Sequence, residues 1–121
     1  MSEQPPFLPP GSATMDDFLR LDLRVGRIVA ARAFAGARKP AYQLEIDFGV
    51  EGVRRSSAQL PGTYPEPEVL VGRLVVCVVN FPPRRIAGFM SDVLILGALP
   101  SGGRIPLLRV DEGASPGDPI G

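Results

Sequence analysis

The chain has 121 residues, enough for one domain with a hydrophobic core and too few for two. It carries 13 basic and 13 acidic residues, so its formal net charge is zero and any electrostatic binding must come from local segregation of charge. Histidine is absent and cysteine occurs once, which excludes an internal disulfide and a cysteine–histidine metal site.

The N-terminal segment, residues 1–14, is rich in proline and predicts a disordered tail. It has neither the basic nor the apolar region of a signal peptide, so we expect a soluble cytoplasmic protein without a membrane span. The run from Thr14 to Asp17 has the pattern of a capping box and predicts one helical turn from Met15 to Leu19. The folded domain is therefore expected over residues 15–121.

Three strands are predicted in the first half of this domain. From Asp22 to Arg32 the apolar residues recur with a period of two, which indicates a long strand, and Gly26 within it is expected to form a bulge or tight bend. Tyr42 to Phe48 alternates between apolar and polar residues, which predicts a strand with one buried and one solvated face. Gly52 to Gln59 predicts a more polar strand that pairs with it.

The second half adds a loop and three further strands. A helical turn is predicted from Pro67 to Leu70, and the β-branched run within Arg73 to Phe81 predicts a strand that is buried on both faces. Asp92 to Leu96 and Ile105 to Val110 complete the set. About six strands without βαβ alternation predict an all-β fold: an OB-type five-stranded barrel with short helical turns and an extra C-terminal strand, with a β-sandwich as the alternative.

The residue types argue against catalysis. The commonest acid–base residue, histidine, is missing, and Ser56 and Ser57 therefore have no partner to activate them. The chain also lacks a P-loop and a dinucleotide-binding glycine motif. Cys77 lies within an apolar strand and is expected to be a small core residue. We therefore expect a binding protein rather than an enzyme.

The segment from Asn80 to Phe89 is the strongest candidate for a binding surface. Pro82 and Pro83 end the preceding strand and are expected to place Arg84 and Arg85 on a stiffened loop, which loses little entropy on binding. Arginine suits bidentate phosphate contacts and stacking on bases. The alternative is that these are ordinary solvated loop charges, with the neighbouring apolar residues packed in the core.

This segment, with Ser91 and the apolar residues 93–97 that follow, resembles the signature of the tRNA-binding-domain family. Residues 21–26, 37–42, 47–49 and 56–59 resemble the CsaA branch of that family, described as an export-related chaperone. The resemblance covers residues 15–121. It implies an OB barrel, a homodimer, no cofactor and binding of tRNA or other structured RNA.

The resemblance also implies roles for individual residues. The residues that match RNA-facing positions are Arg38, Lys39, Asn80, Arg84, Arg85 and Ser91. A groove for unfolded or export-bound polypeptide is assigned to Ser56, Ser57, Gln59, Phe89 and Met90. One departure favours peptide over RNA: the tRNA-binding branch usually has Ser-x-Gly-Met where this chain has Ser91-Asp92-Val93-Leu94. The Gly and Met are missing, and Asp92 adds a carboxylate that would repel phosphate.

Three functions therefore remain open from the sequence. The leading hypothesis is a small dimeric CsaA-like protein that binds tRNA or other RNA and also unfolded polypeptide. The alternative is an export-related molecular chaperone whose main ligand is peptide. A purely structural dimerisation module is the third.

Overall fold

A computed structural model describes residues 11–121. Most of the predicted N-terminal tail, residues 1–10, lies outside the described residues. The elements in chain order are α1 (Met15–Leu19), β1 (Leu23–Ala33), β2 (Tyr42–Asp47), β3 (Val53–Ala58), β4 (Leu74–Val78), β5 (Arg84–Ile86), β6 (Phe89–Ser91) and β7 (Leu94–Ile95), with 3-10 turns at Gly49–Glu51 and Pro67–Leu70.

Helix α1 begins at the predicted capping box. The Asp17 backbone N–H donates to Thr14 Oγ1 at 3.3 Å, and the Thr14 backbone N–H donates to Asp17 Oδ2 at 2.9 Å. These reciprocal bonds satisfy two donors that a helix N-terminus otherwise leaves unpaired. The predicted helical turn is confirmed.

Five strands form an antiparallel sheet in the order β3-β2-β1-β4-β7. The two edges approach each other, because the Arg55 carbonyl on β3 accepts from the backbone N–H of Asp92 at 2.8 Å and of Val93 at 3.3 Å. The sheet is thereby curled into a nearly closed barrel. The predicted OB-like, all-β architecture is confirmed.

The barrel core follows the predicted alternation. Leu44, Ile46 and Phe48 are buried, whereas the polar residues between them are half-exposed. Strand β4 is buried on both faces from Val75 to Val78, as its continuous apolar run predicts. The core is therefore specified by local sequence patterns.

Gly26 does not form the predicted bulge. The register of β1 against β2 shifts between Ile28 and Ala30 instead. Gly26 is required for close packing, because a Cβ atom there would lie 2.5 Å from Ile46 Cγ2 and 2.8 Å from Phe48 Cε1. The residue type is explained by a core contact rather than by a bend.

Two predicted segments have a different structure. Residues 105–110 do not form a regular strand, since Pro106 has no N–H to donate to a ladder. They are joined to the rest of the chain by a bridge between Gly97 and Leu107 and by backbone N–H groups that donate to Thr63 Oγ1 and to the Tyr64 hydroxyl. The predicted loop at Arg84 and Arg85 is a β-hairpin, β5–β6. Its turn residues Ala87 and Gly88 both have positive φ, 49° and 82°, which suits a two-residue hairpin loop.

Candidate functional site

An open cleft of about 620 Å³ lies where the loop between β1 and β2 meets β3 and β5. Its lining residues are Ala37, Arg38, Lys39, Ala41, Ser57, Gln59, Arg84 and Ile86. Three of these residues are cationic and none carries a carboxylate. The cleft therefore concentrates positive charge on a chain whose net charge is zero.

The strand pattern of β3 decides which of its residues reach the cleft. Ser56 is 1% exposed and faces the barrel core, so its neighbour Ser57 faces outward. Ser57 and Gln59, two of the residues predicted for a ligand groove, line the cleft, whereas Ser56 is buried on the other face. The burial of Ser56 does not favour its assignment to the groove, which stays a prediction, because alternate residues of a strand point to opposite faces.

The register of the β5–β6 hairpin separates the two predicted arginines. Arg84 lies opposite Ser91, whereas Arg85 lies opposite Met90. Since residues directly opposite each other share a face, Arg84 belongs to the cleft face and Arg85 to the other face with Met90. The structure thus brings Arg84 together with Arg38 and Lys39, and it leaves Arg85 and Met90 outside the cleft lining.

The hairpin is held by a satellite core formed by Phe34, Ala41 and Phe89. The Phe34 and Phe89 ring centroids are 5.4 Å apart with the rings tilted at 58°, a favourable aromatic geometry. Phe89 is 8% exposed, which favours the core-packing alternative, and its assignment as a peptide contact stays a prediction. Ile86 packs against this cluster and still lines the cleft. The satellite core therefore fixes the loop and the hairpin that carry the cations.

Arg55 is an exposed residue beside the cleft that the sequence assignments missed. Its guanidinium carbon lies 4.9 Å from the Phe89 ring centroid. Strand alternation places Arg55 on the same face as Ser57, and this pattern could have identified Arg55 as a candidate from the sequence. The contact with Phe89 depends on tertiary structure and could not be seen in the pattern.

Asn80 and Ser91 have structural hydrogen bonds. Asn80 Oδ1 accepts from the Asp22 backbone N–H at 2.9 Å, and Asn80 Nδ2 donates to the Arg20 carbonyl at 2.8 Å. These bonds join the end of β4 to the chain after α1, and Asn80 is not part of the cleft lining. Ser91 Oγ accepts from the Ser57 backbone N–H at 3.0 Å, which fastens the hairpin to β3.

The carboxylate expected to repel phosphate does not line the cleft. Asp92 is half-buried, and its Oδ2 lies 3.4 Å from the Arg55 backbone N–H as a hydrogen-bond acceptor. Its charge is therefore directed at the backbone of β3. The sequence departure at Asp92 does not remove the cationic character of the cleft.

The cationic side chains of the cleft are not members of the ion pairs found in residues 11–121. Within residues 11–121 the pairs are Arg24–Asp22 at 2.6 Å, Arg32–Glu45 at 2.8 Å and Arg54–Glu51 at 3.7 Å. None of them includes Arg38, Lys39 or Arg84. The side chains of these three residues are exposed and available to an anionic ligand.

Other chemistry is sparse in the part of the chain that the structure describes. Across residues 11–121 there is no group of three or more metal-ligating side chains and no helix that could span a membrane. Cys77 is a buried core residue, and its burial raises the pKa of its thiol to about 12. The cationic cleft is the main feature suited to a ligand.

Known proteins share this fold and much of this sequence. Residues 23–119 match the family model described as "Putative tRNA binding domain". The structure of the chaperone CsaA from Bacillus anthracis str. Ames is 49% identical, with a TM-score of 0.85, and the match covers 90% of this chain and 98% of that one. The CsaA chaperone of Picrophilus torridus is 44% identical with a TM-score of 0.81, covering 90% and 99%. The predicted resemblance to the CsaA branch is confirmed.

A methionine–tRNA ligase of Xanthomonas axonopodis pv. citri (strain 306) is 41% identical over 117 residues. The match covers 97% of this chain but 17% of the ligase. The chain therefore corresponds to a small part of that enzyme.

Proposed function

We propose that this chain, which belongs to the tRNA-binding-domain family, binds tRNA or other structured RNA through the cationic cleft. The observation that carries the proposal is the convergence of Arg38, Lys39 and Arg84 from two separate elements, without a carboxylate in the lining. We propose a binding role without catalysis. The cytoplasmic location predicted from the sequence is part of the proposal, since tRNA is used there.

The position of the cleft in the barrel supports RNA as the ligand. OB barrels bind oligonucleotides on the face of their second and third strands, between the loop that follows the first strand and the loop that precedes the last. Here those parts are β3, the loop at residues 34–41 and the β5–β6 hairpin. The proposed ligand therefore occupies the surface that this architecture offers to nucleic acids.

The side chains of the cleft favour contacts with the RNA backbone. Arg38, Lys39 and Arg84 supply donors for phosphate oxygens, and the lining contains no aromatic ring. Backbone contacts position an RNA without reading its bases. We therefore expect the cleft itself to show a loose sequence preference and a strong dependence of affinity on salt.

The hairpin offers a matched pair of variants for a test. Arg84→Gln and Arg85→Gln remove the same charge from neighbouring residues on opposite faces. We expect the slope of log K against log salt for tRNA to fall in magnitude by about 0.7 to 0.9 in Arg84→Gln, since one phosphate contact is lost. Arg85→Gln should keep the wild-type slope.

Two outcomes would contradict the proposal. Equal slopes for the two variants would mean that net charge, rather than the cleft, governs the interaction. Absence of tRNA binding by the wild-type protein at low salt would remove RNA as the ligand.

A second candidate ligand is unfolded polypeptide in the same cleft. The similarity to two CsaA chaperone structures favours it, as does the mixture of apolar and hydrogen-bonding groups in the lining. Ala41 and Ile86 offer apolar contacts, while Ser57 and Gln59 can bond to a peptide backbone. We expect the protein to suppress aggregation of an unfolded client and tRNA to compete with this activity. Suppression that excess tRNA leaves unchanged would place the peptide elsewhere.

We also propose that the protein is a homodimer, as the resemblance implies. Apolar side chains are exposed on and near α1: Met15 is 69% exposed, Leu19 67% and Phe81 44%. A second copy that covered them would remove this area from water. We expect Leu19→Glu to lower the mass measured by light scattering from that of a dimer to that of a monomer. A wild-type monomer mass would contradict the proposal.

A further inference from the structure

We infer that Arg55 is a stacking platform for one RNA base at the edge of the cleft. The inference rests on the proposed function and names the part of the ligand that this edge contacts. Arg55 is two residues from Ser57 on β3, and at about 3.4 Å per residue the two positions lie about 7 Å apart. A nucleotide can therefore place a phosphate in the cleft and its base over Arg55.

Packing holds the Arg55 guanidinium plane in place. Its carbon lies 4.9 Å from the Phe89 ring centroid, and Phe89 is packed against Phe34 at 5.4 Å. Phe89 thus covers one side of the guanidinium group, while Arg55 as a residue is exposed. We place the ligand on the side of the guanidinium group that faces away from Phe89. Little side-chain entropy remains to be lost when a flat ligand covers it.

The carboxylates near Arg55 do not form an ion pair with its guanidinium group. Glu45 lies opposite Arg55 in the β2–β3 ladder, but it forms an ion pair with Arg32 at 2.8 Å. Asp92 accepts from the Arg55 backbone N–H rather than from its side chain. Arg55 is absent from the ion pairs found in residues 11–121. Its charge is therefore available to an electron-rich base.

The satellite core explains why an arginine would do the stacking. Single-stranded RNA sites commonly stack bases on exposed aromatic rings, but Phe34 and Phe89 are buried at 7% and 8% exposure. A planar, delocalised cation can stack on an aromatic ring with one face and on a base with the other. The order is then Phe89, Arg55 and base. The stack makes no demand on base identity, because every base has a π face.

The test separates the guanidinium plane from its charge. Arg55→Lys keeps the positive charge and removes the plane. Binding is measured for a short single-stranded RNA and for an abasic oligomer of equal length. We expect Arg55→Lys to lower affinity for the normal RNA about 5- to 100-fold and to leave affinity for the abasic oligomer within about twofold. Arg104→Lys, an exposed arginine away from the cleft, is the matched control and should change neither affinity.

The outcomes are distinguishable from failure of the proposed function. If the wild type binds RNA but Arg55→Lys binds the normal RNA equally well, the stacking platform is overturned. An equal loss of affinity for both oligomers overturns it too, because Arg55 then contacts phosphate. Failure of the wild type to bind tRNA at low salt overturns the proposed function itself. If the wild type binds tRNA but not the short single-stranded RNA, the proposed function stands and the stacking platform is overturned. A thermal unfolding curve for each variant confirms that the fold is intact.

Discussion

Replacing Gly26 with Ala should destabilise the barrel, although a Gly→Ala substitution usually stabilises a protein by reducing the conformational freedom of the unfolded chain. The added Cβ would lie 2.5 Å from Ile46 Cγ2 and 2.8 Å from Phe48 Cε1. Ile46 and Phe48 are 0% and 1% exposed, so neither side chain can move without disturbing the core.

The expected magnitude is the difference of two terms. Overpacking a core costs about 1–3 kcal/mol, while reduced freedom of the unfolded chain returns about 0.4–1 kcal/mol. Both contacts are below 3.0 Å, so the overpacking cost is expected in the upper part of its range, about 2–3 kcal/mol, and the free energy of unfolding should fall by about 1–2.5 kcal/mol. For a domain of this size, Tm should then fall by about 4–10 °C. Thermal unfolding followed by circular dichroism, with urea unfolding at 25 °C, measures both quantities.

Gly62→Ala is the matched control for this prediction. A Cβ at Gly62 would have no heavy atom within 4 Å, and its φ is outside the left-handed region. The same substitution should therefore be neutral or stabilise the protein by up to about 1 kcal/mol. If Gly26→Ala and Gly62→Ala had the same Tm, the inference that Gly26 is required for close packing would be refuted.

Three further predictions concern the hairpin and the core. Ala87 has a φ of 49°, which asparagine tolerates better, so Ala87→Asn should raise the free energy of unfolding by up to about 1 kcal/mol in urea; a decrease would contradict the turn assignment. Burial raises the pKa of Cys77 to about 12, whereas the thiol of the unfolded chain ionises near pH 9. The free energy of unfolding is therefore unaffected by this group below pH 9 and falls by about 1.4 kcal/mol per pH unit between pH 9 and 12. Cys77→Ala should flatten this decline between pH 9 and 10.5, whereas parallel curves would contradict the assignment. Phe89→Ala should cost about 3 kcal/mol and accelerate amide hydrogen exchange in the β5–β6 hairpin more than in β2; uniform acceleration would show that the satellite core is not a separate unit.

Elements that depend on local patterns could be predicted from the sequence. The capping box at Thr14 fixed the start of α1, and the alternation from Tyr42 to Phe48 identified the buried face of β2. Both signals involve residues a few positions apart. The β5–β6 hairpin could not be predicted in this way. Pro82 and Pro83 indicated a loop, and Ala87 is not a residue typical of a hairpin turn.

The site shows the same limit more sharply. Arg38, Lys39 and Arg84 were grouped through a family resemblance, since more than forty positions separate Lys39 from Arg84 and no local rule brings them together. The separation of Arg84 from Arg85 required the hairpin register, which a pattern without a recognised turn cannot supply. The stack of Arg55 on Phe89 required tertiary structure. The sequence indicated which residue types would bind a ligand, but it did not show on which face of the hairpin each side chain lies.

The distribution of ion pairs explains how a neutral chain can hold a cationic cleft. Asp22, Glu45 and Glu51 are paired with arginines outside the cleft lining, so much of the acidic charge near the barrel strands is locally compensated. Exposed acids farther from the cleft have little effect on it, because charges separated by more than about 8 Å are largely screened at physiological ionic strength. The cleft therefore attracts phosphate at short range, while the neutral chain provides little long-range steering. Affinity should accordingly respond to the removal of a cleft cation such as Arg84 far more than to an equal change in net charge elsewhere.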